Sequence, residues 1–280
     1  MHFCLTRLVR VSRSFIVAAG LLAVIISTGC GSSNWSASQR QTPPSVAQAA
    51  VAVAAGASTP QVLLFVGSGT SSGAVTATKT ILGNLKLTYA TATSSQLNGM
   101  SESAMKAYKL FLMPGGNAIT ISQNLKSATI TNLHNAIVND GLNYLGICAG
   151  GFFAGNSGIY NYLDLTPTGV WFNYYADEFK GIYKEAVEVK DSTGTQLDQY
   201  WENGPQFTGW GKIVGKYPDG TPAIVEGNSG KGWVILSGVH PEAPASWRTG
   251  MTFTTSVAVD NAYAETLVTA ALNGTSLPHY

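Results

Sequence analysis

The stretch that most restricts the fold is Tyr144-Leu145-Gly146-Ile147-Cys148-Ala149-Gly150-Gly151. Tyr144 to Ile147 is a short apolar run that reads as a buried strand, and Gly150 to Ala154 reads as the start of a helix. Gly-x-Cys-x-Gly at a strand-to-helix junction is a nucleophile elbow carrying a thiol. The glycines are expected to let the backbone turn sharply and project the side chain between them beyond the end of the sheet. A thiol there faces a helix N-terminus, which favours the thiolate. Most lone cysteines are small packing residues. The glycine spacing favours a nucleophile at Cys148 instead.

The rest of the chain supplies a sheet for that strand. Gln61 to Val66 reads as a buried strand, and the turn Gly67-Ser68-Gly69-Thr70-Ser71-Ser72-Gly73 opens a helix with Val75, Thr78, Leu82 and Leu85 on one face. Thr78 is the weak member of that stripe and offers only its methyl group. The turn fails the dinucleotide fingerprint, because its third glycine is one residue late and no acid lies about 20 residues on. No cofactor is therefore expected, and no metal site is read from the chain. Gly67, Ser68, Gly69 and Thr70 are instead expected to line a pocket, together with Asn117 and Phe152. Leu87–Ala92 and Leu110–Met113 read as further strands, with a short helix near Glu102–Tyr108 between them. A longer helix is predicted over Ser122–Asn139, with Leu125, Ile130, Leu133 and Ile137 inward and His134 on its outer face. Strands alternating with helices at this spacing imply an α/β fold with a parallel sheet covered on both faces. Sites in such sheets gather beyond the carboxyl ends of the strands, where the Gly67 loop, the Gly115 loop and Cys148 all fall.

After the elbow the pattern changes. Residues 156–230 are rich in Tyr, Trp, Gly and Thr, with alternating runs such as Ala186-Val187-Glu188-Val189, and read as an antiparallel β/loop insertion added to the main sheet. Trp171, Phe172, Tyr174, Tyr175, Trp201 and Trp210 are candidates for a substrate wall, although core or hairpin packing is the commoner fate of such residues. Order returns with the strand Trp233–Leu236, followed by Ser237-Gly238-Val239-His240-Pro241-Glu242 and a final helix carrying Val259, Tyr263, Leu267 and Ala271.

The N-terminal segment carries its own signal. Residues 1–29 hold Arg7, Arg10 and Arg13 and no acids, then twelve apolar residues from Phe15 to Ile26, too few for a comfortable membrane span. A signal peptide is expected over 1–29. Ser27-Thr28-Gly29-Cys30 resembles the lipobox of bacterial lipoproteins, so Cys30 is the expected lipidation site, with Ser27 where a branched aliphatic is usual. Gly31 at the next position resembles lipoproteins sorted to the outer membrane, which implies anchoring there with the domain facing the periplasm. Residues 30–60, rich in Ser, Ala, Gln and Pro, read as a flexible tether, and residues 61–275 as the folded domain. A helical patch over 49–55 carries no chemistry. Cys4 leaves with the signal and Cys30 is acylated on this reading, so Cys148 alone keeps a free thiol. Beyond residue 29 there are 13 basic against 15 acidic residues and no basic run, which argues against nucleic acid as a partner.

A base for the thiol is expected just past a buried strand. His240 stands there, and Glu242 can fix its tautomer and orientation. His134, His279 and His2 are poorer choices: a helix surface, a tail and the signal segment.

Cys148 in its elbow, His240-Pro241-Glu242 and Pro114-Gly115-Gly116 together resemble class I glutamine amidotransferases. More narrowly, four motifs resemble the N-terminal domain of fungal and animal-type biotin–protein ligases, a domain that bacteria also carry as a stand-alone protein. They are Leu63-Leu64-Phe65-Val66-Gly67-Ser68-Gly69-Thr70, Met113-Pro114-Gly115-Gly116, the elbow run 144–151, and Ser237-Gly238-Val239-His240-Pro241-Glu242. The resemblance implies a flavodoxin-like, doubly wound sheet. It also implies Cys148 as nucleophile, His240 as base and Glu242 as orienter, with oxyanion donors from the backbone of Gly115, Gly116 and Ala149. Phe152 stands where the amidotransferases carry a substrate-binding glutamine, and Ala149 where related intracellular proteases carry histidine. No synthetase or ligase domain can be read within these residues. The expectation is an exported hydrolase or acyl-transferring enzyme acting on a small-molecule or peptide amide through a thioester. The alternative is a non-catalytic ligand-binding or scaffold module of the cell envelope.

Overall fold

The computed structural model describes residues 59–280. The signal segment, Cys30, the tether as far as residue 58 and the helical patch at 49–55 lie outside the described residues. Among the described residues, no helix is long and apolar enough to cross a membrane.

β1 (Val62–Phe65) leads into α1 (Ser72–Asn84), which begins where the Ser71 hydroxyl accepts from the Ala74 N–H. β2 (Tyr89–Ala92), α2 (Ser94–Asn98), α3 (Glu102–Met105) and β3 (Leu110–Met113) follow. α4 (Ala118–Asn124) and α5 (Ser127–Val138) precede β4 (Asn143–Ile147), and α6 (Ala149–Ala154) starts immediately after Cys148. Next come β5 (Asn173–Tyr174), a 3₁₀ turn at Ala176–Lys180, β6 (Lys184–Asp191), β7 (Gln196–Glu202) and β8 (Pro205–Gln206). β9 (Lys212–Lys216), β10 (Pro222–Ser229), β11 (Gly232–Ser237), a second 3₁₀ turn at Ala245–Arg248 and α7 (Val257–Asn273) complete the elements.

Nine strands form one sheet in the order β2-β1-β3-β4-β11-β10-β9-β6-β7. The first five are parallel, and the remaining four extend the sheet antiparallel. β5 and β8 pair separately. β1, β3 and β4 are apolar runs because both of their faces are covered, whereas β2 at the sheet edge is largely exposed. Val62, Leu64, Leu110, Leu112, Leu145 and Ile147 face α1 and α7 in one core cluster. Leu63, Phe65, Phe111, Met113 and Tyr144 face α2 to α6 in the other. Burial of each Leu or Phe contributes about 1.5–3 kcal/mol relative to exposure.

Three local expectations fail for identifiable reasons. The helix predicted over 122–139 is two helices, because Leu125 is extended between them (φ −110°, ψ 134°). The Asn98 Oδ1 accepts from the Lys126 N–H at 2.9 Å and the Thr129 hydroxyl at 2.8 Å, so a side chain supplies the acceptor where α5 begins. α2, not foreseen, starts with a capping box between Thr93 and Gln96. On α7, Val259 is 46% exposed, and the buried stripe runs instead through Asp260, Ala264, Leu267, Val268 and Ala271. Asp260 holds the core position because Arg248 pairs with it, and Thr255 and Gln199 donate to its carboxylate.

Register then brings the functional segments together. Met113 pairs with Gly146 and Ile147 with Ser237, so β3, β4 and β11 end side by side. The outermost strand, β7, also returns to this edge: the His240 N–H donates to the Tyr200 carbonyl at 2.8 Å.

The Arg248–Asp260 pair fastens the second 3₁₀ turn to α7, and Asp260 is fully buried. Replacing Arg248→Ala leaves that carboxylate without its cation and is expected to cost about 3–5 kcal/mol in urea unfolding. A loss below about 1 kcal/mol would show that the pair does not hold the turn.

Candidate active site

Cys148 is one of four non-glycine residues with positive φ among the described residues (φ 50°, ψ −103°), a conformation that costs on the order of 1–3 kcal/mol. It is held from both sides. Its N–H donates to the Ser237 carbonyl at 2.7 Å, and its own carbonyl accepts from the Phe152 N–H at 3.1 Å as α6 begins. The sharp turn is therefore made by the cysteine, not by the flanking glycines as expected from the motif. Those glycines permit close approach instead. A Cβ on Gly146 would lie 2.4 Å from the Gly150 carbonyl oxygen, and one on Gly150 would lie 2.2 Å from the Met113 carbonyl oxygen. The Tyr144 hydroxyl donates to the Gly150 carbonyl at 2.7 Å, locking the start of the helix to β4.

His240 and Glu242 stand beside this thiol. His240 Nδ1 lies 2.8 Å from Glu242 Oε1, and both residues are buried, at 5% and 2% exposure. With Nδ1 engaged, Nε2 is the ring nitrogen left for the Cys148 thiol, which lines the same cavity. The ring sits in a fitted slot. A Cβ on Gly115 would lie 2.4 Å from His240 Cε1, so glycine is required beneath it. Trp247 and Tyr200 flank the ring edge-on, with centroids 5.5 Å and 5.8 Å away. Burial opposes a charge on the imidazole. The carboxylate of Glu242 and then the thiol of Cys148 outweigh it, and the proton affinity of His240 ends well above the usual histidine range. Cys148 Sγ also lies 3.6 Å from the Glu202 carbonyl oxygen.

The backbone near Cys148 offers donors. The Gly115 carbonyl accepts from the Ser71 N–H at 2.9 Å, and the Asn117 N–H donates to the Gly69 carbonyl at 2.7 Å. The Gly115 and Gly116 N–H groups have no backbone acceptor among the described residues. Ala149, first in α6, has no intrahelical acceptor for its N–H. This arrangement can ionise a thiol, direct it at a carbonyl carbon, and receive the oxygen charge that develops.

The family model described as biotin-protein ligase, N terminal, matches residues 60–165. That segment is similar to the N-terminal domain of biotin-protein ligases. It spans β1 to α6 and includes Gly115, Gly116 and Cys148, whereas His240 and Glu242 lie beyond it. The chain is also similar to a chain in the structure of PurLQS from Thermotoga maritima, with 13% identity, a TM-score of 0.52, and 75% of this chain and 98% of that one covered. Two glutamine amidotransferases, from Thermotoga maritima and Methylobacillus flagellatus, each reach 12% identity and a TM-score of 0.49. They cover 75% and 79% of this chain and 97% of their own. The fold is glutamine amidotransferase-like, of the flavodoxin type; at such identities the likeness is one of fold alone. No curated protein matches the chain.

The matched segment forms one side of a cavity of about 1020 Å³, and the residues after it form the other. Cys148, His240, Gly115, Gly116, Asn117 and Phe152 all line it, while Glu242 stands behind His240. The loop Gly67 to Thr70 does not line it; Ser71 and Ala74 do. That loop braces the Gly115 turn from behind, through Gly69 and an isolated bridge between Thr70 and Gly116, and is itself tied to α2 by a bond from the Ser68 N–H to the Ser94 hydroxyl at 2.9 Å. The aromatic candidates divide. Trp171 and Tyr174 line the cavity, Phe172, Tyr175 and Trp201 are core residues, and Trp210 packs elsewhere. Tyr160, Tyr162, Tyr200 and Trp247 complete the wall and were not singled out from the sequence. Phe152 packs edge-on against Tyr174 at 4.9 Å. Tyr162 stacks with Trp171 at 6.2 Å. Burial, aided by Tyr174 and Tyr160, pushes the Tyr162 phenol up to about 12, so it enters the cavity wall as a neutral hydroxyl. Besides His240, the charged side chains of the lining are Lys184 and Glu202. His134 lies outside this cavity; its Nδ1 meets the Leu163 carbonyl at 2.8 Å and fixes the loop after α6. His279 sits on the tail near Glu226, and His2 lies outside the described residues.

Proposed function

We propose that this protein is an exported cysteine hydrolase or acyl-transferring enzyme that acts on an amide through a thioester on Cys148. The observation that carries the reading is the His240–Glu242 contact of 2.8 Å, made by an imidazole that lines the same cavity as the Cys148 thiol. In the proposed cycle the thiol proton passes to His240 Nε2, and sulfur attacks the carbonyl carbon. The N–H groups of Gly115, Gly116 and Ala149 receive the oxyanion. The imidazolium returns the proton to the leaving nitrogen, the C–N bond breaks, and a thioester stays on sulfur. Water or an amine then attacks the thioester with His240 as base, and the thiol is restored. Glu242 holds the ring and its charge throughout.

Glutamine is not the substrate proposed. Phe152, edge-on to Tyr174, fills the place where the amidotransferases carry glutamine. The aromatic wall and its sparse charge fit an uncharged small-molecule or peptide amide with ring or apolar groups. No nucleic-acid partner is proposed, given the balance of 13 basic and 15 acidic residues beyond residue 29. A non-catalytic binding module would use the same cavity, and reactivity of the thiol separates the two readings.

The proposed location is the periplasmic side of the outer membrane, with a lipid on Cys30 and residues 31–60 as tether; the support is the segment Arg7 to Cys30. Mass spectrometry of the mature N-terminus is expected to find a diacylated or triacylated Cys30. Cleavage elsewhere, or an unmodified Cys30, removes the anchor.

The enzyme reading predicts that Cys148 is alkylated by iodoacetamide at a rate that persists well below pH 8.5, where a free thiol is half ionised. In His240→Ala that low-pH reactivity is expected to fall at least roughly tenfold. A wild-type profile that simply follows a free thiol, unchanged by His240→Ala, would favour the binding module.

A further inference from the structure

We propose that Thr78 is a positioning residue for the Cys148–His240–Glu242 group, holding the second carboxylate oxygen of Glu242 through one buried water molecule. The inference rests on the cysteine-nucleophile reading and extends it to α1, on which no functional residue was expected.

Thr78 and Glu242 are each 2% exposed. Glu242 spends Oε1 on His240 Nδ1, and its Oε2 has no hydrogen-bond partner among the described residues. The Thr78 hydroxyl has none either. Its neighbours on the same helix behave differently: Thr76 donates to the Ser72 carbonyl at 2.9 Å and Thr80 to the Thr76 carbonyl at 3.1 Å. Those two bonds to the preceding turn are the usual resource of a helical threonine, and Thr78 does not use it.

Both orphan groups border one void of about 10 Å³, walled otherwise by apolar side chains such as Ile81, Leu145, Ile147 and Leu267. That is about the space one water occupies, and a water needs at least two polar partners to stay in such a site. Here it has two. It donates one hydrogen to Glu242 Oε2 and bonds the Thr78 hydroxyl. A buried polar oxygen without a donor is strongly unfavourable, and one water satisfies both groups at once.

The consequence reaches the thiol. A donor on Oε2 fixes the orientation in which Glu242 presents Oε1 to His240 Nδ1. The carboxylate so held supports the charge on the imidazole, which is the base that serves the sulfur. Thr78 thus acts two links away from the reacting atom, without touching it.

The test compares Thr78→Val, which keeps the shape and removes the hydroxyl, with Thr78→Ser, which keeps the hydroxyl. For the wild type and both variants, the iodoacetamide rate at Cys148 is measured from pH 5 to 9 on folded protein, with thermal midpoints recorded alongside. The expected result is a roughly tenfold slower alkylation at neutral pH in Thr78→Val, its profile displaced to higher pH, with Thr78→Ser close to the wild type. A Thr78→Val profile that overlays the wild type overturns the proposal, and so does a Thr78→Ser profile displaced as far as that of Thr78→Val. If the wild type itself reacts as a free thiol, the cysteine-nucleophile reading falls and takes this proposal with it. A reactive wild type with an indifferent Thr78→Val removes this proposal alone.

Discussion

The geometry of this molecule depends on a junction of three strand ends that leaves no room for side chains. Gly150 lies so close to the Met113 carbonyl, and Gly146 so close to Gly150, that a Cβ at either would clash with backbone. The chain between them still has to leave β4 and enter α6. It does so by placing Cys148 at positive φ, anchored to Ser237 on the next strand. The strain is stable because packing on three strands over-determines it. One result is a thiol at the carboxyl edge of a parallel sheet, beside the loops that follow β3 and β11. That is where sheets of this type gather their chemistry.

The antiparallel half of the sheet does more than enlarge it. β7 lies farthest from β4 in strand order, yet the His240 N–H bonds its Tyr200 carbonyl. This contact presents Tyr200 and Glu202 to the cavity and fixes the backbone of His240. The Arg248–Asp260 pair anchors the turn that carries Trp247 against the other side of the imidazole. His240 is therefore confined by Gly115, Tyr200, Trp247 and Glu242, with no freedom to turn away from the sulfur. Glu242, buried and in direct contact with Nδ1, is the carboxylate placed to stabilise charge on this ring in a poorly screened site.

Much of this was legible in the chain, for physical reasons that can be named. β1, β3 and β4 are apolar at nearly every position because both faces are covered, so Val62–Phe65, Leu110–Met113 and Tyr144–Ile147 announce themselves. His240 and Glu242 fall near Cys148 because the segment after a buried parallel strand emerges at the same edge of the sheet as the elbow. What was missed depends on contacts distant in sequence. Asn98, from another helix, divides the predicted 122–139 helix. Asp260 occupies the core line of α7 only because Arg248 meets it there, which turns Val259 outward. The capping box Thr93–Gln96 was a local signal and readable. Thr78 looked like a methyl group on an apolar stripe, since only the fold reveals that it lines the same void as Glu242 and that its hydroxyl is buried without a partner. Likewise, nothing local separates Trp171, which lines the cavity, from Phe172, which is core.

The central claim is that Cys148, His240 and Glu242 form one electrostatic unit, and the histidine is its most direct reporter. Its imidazole can be titrated by NMR in the wild type and in Cys148→Ala. The account predicts a midpoint well above the ordinary value near 6.5 in the wild type, held there by Glu242 and Cys148, and a lower one when the sulfur is removed. A wild-type midpoint at or below about 6.5 would mean that burial prevails over both partners, and it would contradict the account.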